Sequence, residues 1–179
     1  MLLLKLNFIP NWDDISKFRK FVNCLLSNKV TDETQAYRIS MTIAELMENV
    51  CKFSAVGGAA IEIEHLEEKS QITVSVKNIT RLENIEQFKY IFSLVNKGTA
   101  REAYRNMMLR SIKFKDVSIR QLGLARIRYE GNSNISYKTE KEISKLLNNS
   151  ANKIKDSDKL KTLNVKLQFP ISSIKGGNI

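Results

Sequence analysis

The sequence predicts an α+β fold: a two-layer sandwich with a mixed, mostly antiparallel sheet and helices on one face. Three observations predict it. Strict apolar–polar alternation occurs near both ends of the chain and in its middle. Two long stretches of helical periodicity follow each other near the amino terminus. Strands and helices come in runs rather than in tight β–α–β alternation.

The first strand holds Leu2, Leu4, Leu6 and Phe8 on one face against Lys5 and Asn7, and Pro10 ends it. Asn11 caps a helix, with Asp13 and Asp14 favourable in its first turn. Ile15, Phe18, Phe21, Val22, Leu25 and Leu26 form its apolar stripe. Thr31 or Asp32 starts a second helix that runs to about Phe53, and Gly57 and Gly58 break the pattern. Ile61, Ile63 and His65, then Ile72, Val74 and Val76, mark two strands joined as a hairpin by the polar turn 67–70. Ile85, Phe88, Phe92 and Val95 mark a third helix, stopped by Gly98. Thr99 and Glu102 have capping-box spacing and open a fourth. Residues 122–129 read as a short helix ended by Gly131, and Ile135 and Tyr137 as a strand. Residues 140–161, polar and lysine-rich, read as a helix plus a loop. Leu163, Val165, Leu167 and Phe169 form the last strand, closed by Pro170.

Length and composition bound the function. With 179 residues, 42% of them hydrophobic, the chain holds a core of its own: one domain over 1–170, with 171–179 expected as a disordered tail. His65 is the single histidine, which excludes a two-histidine metal motif. Cys24 and Cys51 form no Cys-x-x-Cys and sit on apolar helix positions, as inert core thiols would. No segment approaches the ~20 apolar residues that span a bilayer, and the amino-terminal apolar run is too short for a secretion signal. A reduced, cytoplasmic protein is expected, without a membrane role. The formal charge of +10 favours an anionic partner without choosing one.

The chemistry is concentrated in Glu45-Leu-Met-Glu-Asn49-Val-Cys-Lys52-Phe53. Glu45, Asn49 and Lys52 recur at i, i+4 and i+7 and share a helix face, which Arg38 and Thr42 extend upstream. The plain reading of such a line is a solvated face. The alternative is the wall of a cleft. There a carboxylate takes a proton from a hydroxyl, an amide oxygen holds Mg²⁺, and a lysine meets phosphate.

In residue types and order, E-L-x-x-N-x-x-K resembles the N-box of the histidine kinase-like (GHKL) ATPase superfamily. The strand, proline and helix before it and the hairpin after it are similar to the anti-sigma serine kinase branch. The stretch 118–131, with Asn96 and Tyr104, resembles the SiaB-like regulatory branch. The resemblance implies a histidine kinase-like sandwich over most of 1–170, with ATP and Mg²⁺ as cofactors. It implies Glu45 as the residue acting on the acceptor hydroxyl, Asn49 as the Mg²⁺ ligand through nucleotide, and Lys52 at phosphate. Asn78 falls at the adenine end and Gly123 at the phosphate end. The sequence departs from the family where Asn78 replaces aspartate, where Ile79 and Thr80 supply no glycine, where Gly123 stands alone and where Phe53 replaces histidine.

The function implied is a partner-switching regulator. It would bind a small STAS-type (anti-sigma-antagonist-like) protein and phosphorylate it on Ser or Thr, as a protein kinase with a degenerate ATP site. The alternative is a protein-binding module of the same fold that needs no nucleotide. A homodimer stays open. Residues 97–128 carry nine cations against Glu102 and Asp116, a net +7. That charge suits an acidic partner or phosphate. A nucleic-acid binder is the weaker reading, because no helix-turn-helix glycine turn, stacking aromatic pair or zinc ligand set accompanies the charge.

Overall fold

The computed structural model describes residues 1–113, 119–140 and 159–171. Five strands form one sheet: β1 (Leu2–Phe8), β2 (Ser54–Leu66), β3 (Gln71–Arg81), β4 (Asn134–Glu140) and β5 (Leu160–Pro170). Their order is β1-β2-β3-β5-β4, and all four pairings are antiparallel. The helices are α1 (Trp12–Ser27), α2 (Glu33–Phe53), α3 (Leu82–Val95), α4 (Ala100–Lys113) and α5 (Ile119–Glu130). The two-layer α+β sandwich predicted by the sequence is what forms.

Strand parity builds the layers. On β5, Leu163, Val165, Leu167 and Phe169 are buried toward the helices, while Asn164, Lys166 and Gln168 point to the other face. That outer face carries polar pairs such as Lys5 Nζ–Glu62 Oε1 at 2.5 Å and Lys77 Nζ–Glu140 Oε2 at 2.7 Å. Inside, Ile61 and Ile63 of β2 and Val74 and Val76 of β3 meet Ile39, Ile43 and Met47 of α2 in one core. Burying such side chains is the main favourable term in folding.

The helix starts follow local chemistry. The Asn11 side chain accepts from Asp13 N at 3.1 Å, and that of Asp32 from Thr34 N at 2.8 Å and Gln35 N at 3.2 Å. At α4 the capping box closes: Glu102 N donates to Thr99 Oγ1, and Thr99 N to Glu102 Oε2.

Several expectations need correction. β2 begins at Ser54, directly after α2, not beyond the glycines. Gly57 takes φ +71°, and the register with β3 shifts between Ser54 and Ala59, so the glycine makes a bulge rather than a break. Phe21 is 52% exposed and Cys24 is exposed, because α1 turns Ile15, Val22 and Leu26 inward instead. Ile171, assigned to the tail, is buried and its N–H donates to Ser70 O at 2.9 Å. The remaining tail, 172–179, and the lysine-rich stretch 141–158 lie outside the described residues.

Phe169 is the largest fully buried side chain, 1% exposed. Phe169→Ala should cost about 3–5 kcal/mol, read as a lowered urea midpoint with an unchanged slope.

Candidate functional site

The middle of the polar line of α2, from Thr42 to Asn49, is not a solvated face; α5 covers it, while Arg38 and Lys52 at its ends are exposed. An ideal Cβ on Gly123 would lie 2.5 Å from Glu45 Oε1 and 3.5 Å from Asn49 Nδ2. One on Gly131, just past the end of α5, would lie 2.6 Å from Thr42 Oγ1. Two glycines therefore let α5 and its terminus press directly onto the Thr42–Glu45–Asn49 line.

Glu45 is held from both sides. Its side chain is only 17% exposed, and Oε2 accepts from Arg126 Nη1 at 3.1 Å. Arg126 in turn reaches Glu130 Oε1 at 3.4 Å. Burial pushes the Glu45 carboxyl above its ordinary value, and this outweighs the opposing pull of Arg126. A groove of about 130 Å³ opens beside it, lined by Tyr37, Arg38, Thr42, Arg126 and Glu130 among others. Glu45 thus stands between that groove and Asn49.

Beyond Asn49 lies a second cavity, of about 70 Å³. Leu46 and Val50 of α2, Val76 of β3, Phe88 and Ile91 of α3 and Leu124 of α5 supply much of its wall. Its polar lining is four neutral amides: Asn49, Asn78, Asn84 and Gln87. Asn78, 5% exposed, donates through Nδ2 to Ser54 Oγ at 3.0 Å, and its side chain has no other hydrogen bond among the described residues. Its carbonyl oxygen is free to accept. The Asn49 amide has no described hydrogen-bond partner. Asn84 donates to Thr80 Oγ1 at 3.2 Å, and Thr80 Oγ1 to Phe53 O at 2.7 Å. These bonds tie the end of β3 to the end of α2.

Of the residues singled out in the sequence, Asn49 and Asn78 share this cavity. Glu45 and Gly123 touch each other at its edge. Lys52 stands apart. Its Nζ pairs with Glu48 Oε2 at 3.4 Å and lies 5.5 Å from the centre of the Trp12 ring. Lys52 is not among the residues that line the cavity. The sequence reading missed Arg126, Asn84 and Gln87. Asn84, Gln87, Phe88 and Ile91 lie at i, i+3, i+4 and i+7, a helix face that carried a signal.

The donors present fit a nucleotide in part. Two free amide oxygens suit a heterocyclic amino group and a hard cation. The space does not suit a whole nucleotide, since ligand pockets run to roughly 300–1,000 Å³.

No family model matches the chain, and no curated protein sequence matches it. A chain of the SiaB–SiaC complex from Pseudomonas aeruginosa does match in three dimensions. The TM-score is 0.64 over 94% of this chain and 91% of that one, at 13% identity. The fold is shared. Among the described residues, no helix is long and apolar enough to cross a membrane.

Two outcomes follow. Ala is favoured over Gly in a helix by about 1 kcal/mol. Gly123→Ala should show that gain in a Glu45→Ala background and lose it in the wild type, where the methyl displaces the carboxylate. A double-mutant cycle in urea should give a coupling of about 1–2 kcal/mol. The second concerns pH. A raised carboxyl contributes stability that is complete below the ordinary glutamate value and is lost as pH rises through the raised one. The stability of wild type relative to Glu45→Gln should therefore fall as pH rises above the ordinary glutamate value, read from urea midpoints.

Proposed function

We propose that the chain is a partner-switching regulator that binds a small STAS-type protein and phosphorylates it on Ser or Thr with Mg·ATP. One observation carries the nucleotide part: Asn49 of α2 and Asn78 of β3, from separate elements, turn into one neutral-walled cavity with unused amide oxygens. The partner part is supported by the fold shared with a chain of a two-protein complex. In this reading Asn78 accepts from the adenine amino group, and Asn49 supplies an oxygen to Mg²⁺. Gly123 lets the backbone approach phosphate. The acceptor hydroxyl comes through the groove beside Arg38 and Thr42 to Glu45, whose carboxyl, raised by burial, is the better base for it. Lys52 has no part in it.

A second reading has its own support. The Glu45–Arg126 pair and the closeness of Gly123 to α2 favour a module that binds protein without nucleotide, with α5 closed throughout.

Calorimetric titration with Mg·ATP separates the two. The kinase reading expects saturable heat, abolished by Asn49→Ala. Glu45→Ala should keep binding and lose phosphoryl transfer. Asn78→Asp should tighten ATP over GTP roughly five-fold, the gain of a charge-assisted over a neutral hydrogen bond. Arg126→Ala, which frees α5, should tighten ATP as well. Silence from wild type, Asn78→Asp and Arg126→Ala alike would leave the module.

A further inference from the structure

We infer that the outward face of α4 is a docking surface for an acidic protein that presents an apolar ridge flanked by carboxylates. The inference deepens the partner-binding reading above, because it names the surface and the chemistry that would meet it.

The helix is two-faced. Ala103 and Met107 are buried, and Tyr104 stacks on Tyr129 of α5 with ring centres 5.1 Å apart. Arg101, Arg105, Met108 and Ile112 recur at i, i+4, i+7 and i+11, on the opposite side. Met108 is 41% exposed, Leu109 54% and Ile112 71%. Single exposed apolar residues need no explanation, but three large ones on one helix face mark an interaction site. Of the two adjacent methionines, Met107 fills the core and Met108 does not.

Charge names the occupant. Neither Arg101 nor Arg105 pairs with a described acidic residue. The other cations of this region that the structure describes are partly spent inward. Arg126 is on Glu45 and Glu130, and Arg128 is on the carbonyls of Val95 and Gly98. Arg110 donates to the Tyr90 hydroxyl at 3.4 Å and keeps its charge on another side of the helix. On the outward face itself, Arg101 and Arg105 supply the positive charge toward the amino terminus, and Met108, Leu109 and Ile112 the apolar anchors toward the carboxy terminus. A second copy would offer these arginines no carboxylate from its own outward face. A membrane surface is held by clusters of about four to eight cations, whereas among the described residues only Arg101 and Arg105 lie on this outward face. A duplex would meet Met108, Leu109 and Ile112 with phosphate. A protein with carboxylates beside an apolar ridge satisfies both halves, the ridge anchoring and the charges steering.

The test uses the full chain and two synthetic 18-residue helical peptides. Each has leucines at i, i+3, i+4 and i+7, one with glutamates on the flanks and the other with lysines. Fluorescence anisotropy at physiological salt, without nucleotide, measures binding. The glutamate peptide should bind at least ten-fold tighter than the lysine peptide. The double variant Arg101→Glu/Arg105→Glu and the double variant Leu109→Ser/Ile112→Ser should each weaken it about ten-fold. These side chains are exposed, so unchanged urea midpoints will show that the variants fold. The inference is overturned by equal binding of the two peptides or by no binding of either. It is also overturned if either double variant leaves binding unmoved. Self-association relieved by Ile112→Ser, or tighter binding to phosphatidylglycerol vesicles or a random 20-base-pair duplex, overturns it too. Because the peptides are read without ATP, loss of the kinase reading leaves this result standing, and the reverse holds.

Discussion

The arrangement of the site depends on one contact, the seat of Gly123 against Glu45 and Asn49. A helix carrying a polar stripe exposes it unless another element covers it, and covering a carboxylate demands a partner. Here the covering element brings both: a glycine that leaves room for the carboxylate, and an arginine one turn on that pairs with it. A buried pair of this kind contributes little net stability, since desolvation offsets attraction. Its effect is on position. Breaking one half leaves a charge stranded under α5, so α5 stays in register on α2.

That contact also divides the site. On one side of Glu45 lies a groove with charged walls, and on the other a cavity walled by apolar groups and neutral amides. In the kinase reading, the two compartments would each take a different reactant. The cavity suits an uncharged ring. The groove, with Arg38 and Arg126, suits a polar chain segment.

Much of this was legible in the residues. Strand parity, the Asn11 and Asp32 caps and the Thr99–Glu102 capping box are local patterns, and local patterns survive folding. The Glu45–Asn49 line was legible for the same reason, as was the placing of Asn78 at the end of the hairpin strand. What could not be read were events between distant segments. The Glu45–Arg126 bond joins residues 81 apart in sequence, and no periodicity announces it. Lys52 looked like a continuation of the Glu45–Asn49 line, but its fate was set by Trp12 and Glu48, a neighbour in space and a neighbour on the helix. Phe21 and Cys24 were misjudged by phase. Each is one or two positions from a buried residue, and a small rotation of the helix decides which is inside.

Arg128 has a consequence of a different kind. Its guanidinium donates to the carbonyls of Val95, the last residue of α3, and Gly98, at the threshold of α4. The closing turn of a helix leaves carbonyls without intrahelical donors, and here another helix supplies them. α5 is therefore the splint of the joint between α3 and α4. Whatever lifts α5 from Gly123 onward must also strip the end of α3, whose Phe88 and Ile91 wall the cavity. Opening the cavity and loosening the root of α4 become one event with one free energy. By reciprocity, anything that stiffens that root holds the cavity shut, and anything that enters the cavity slackens the root.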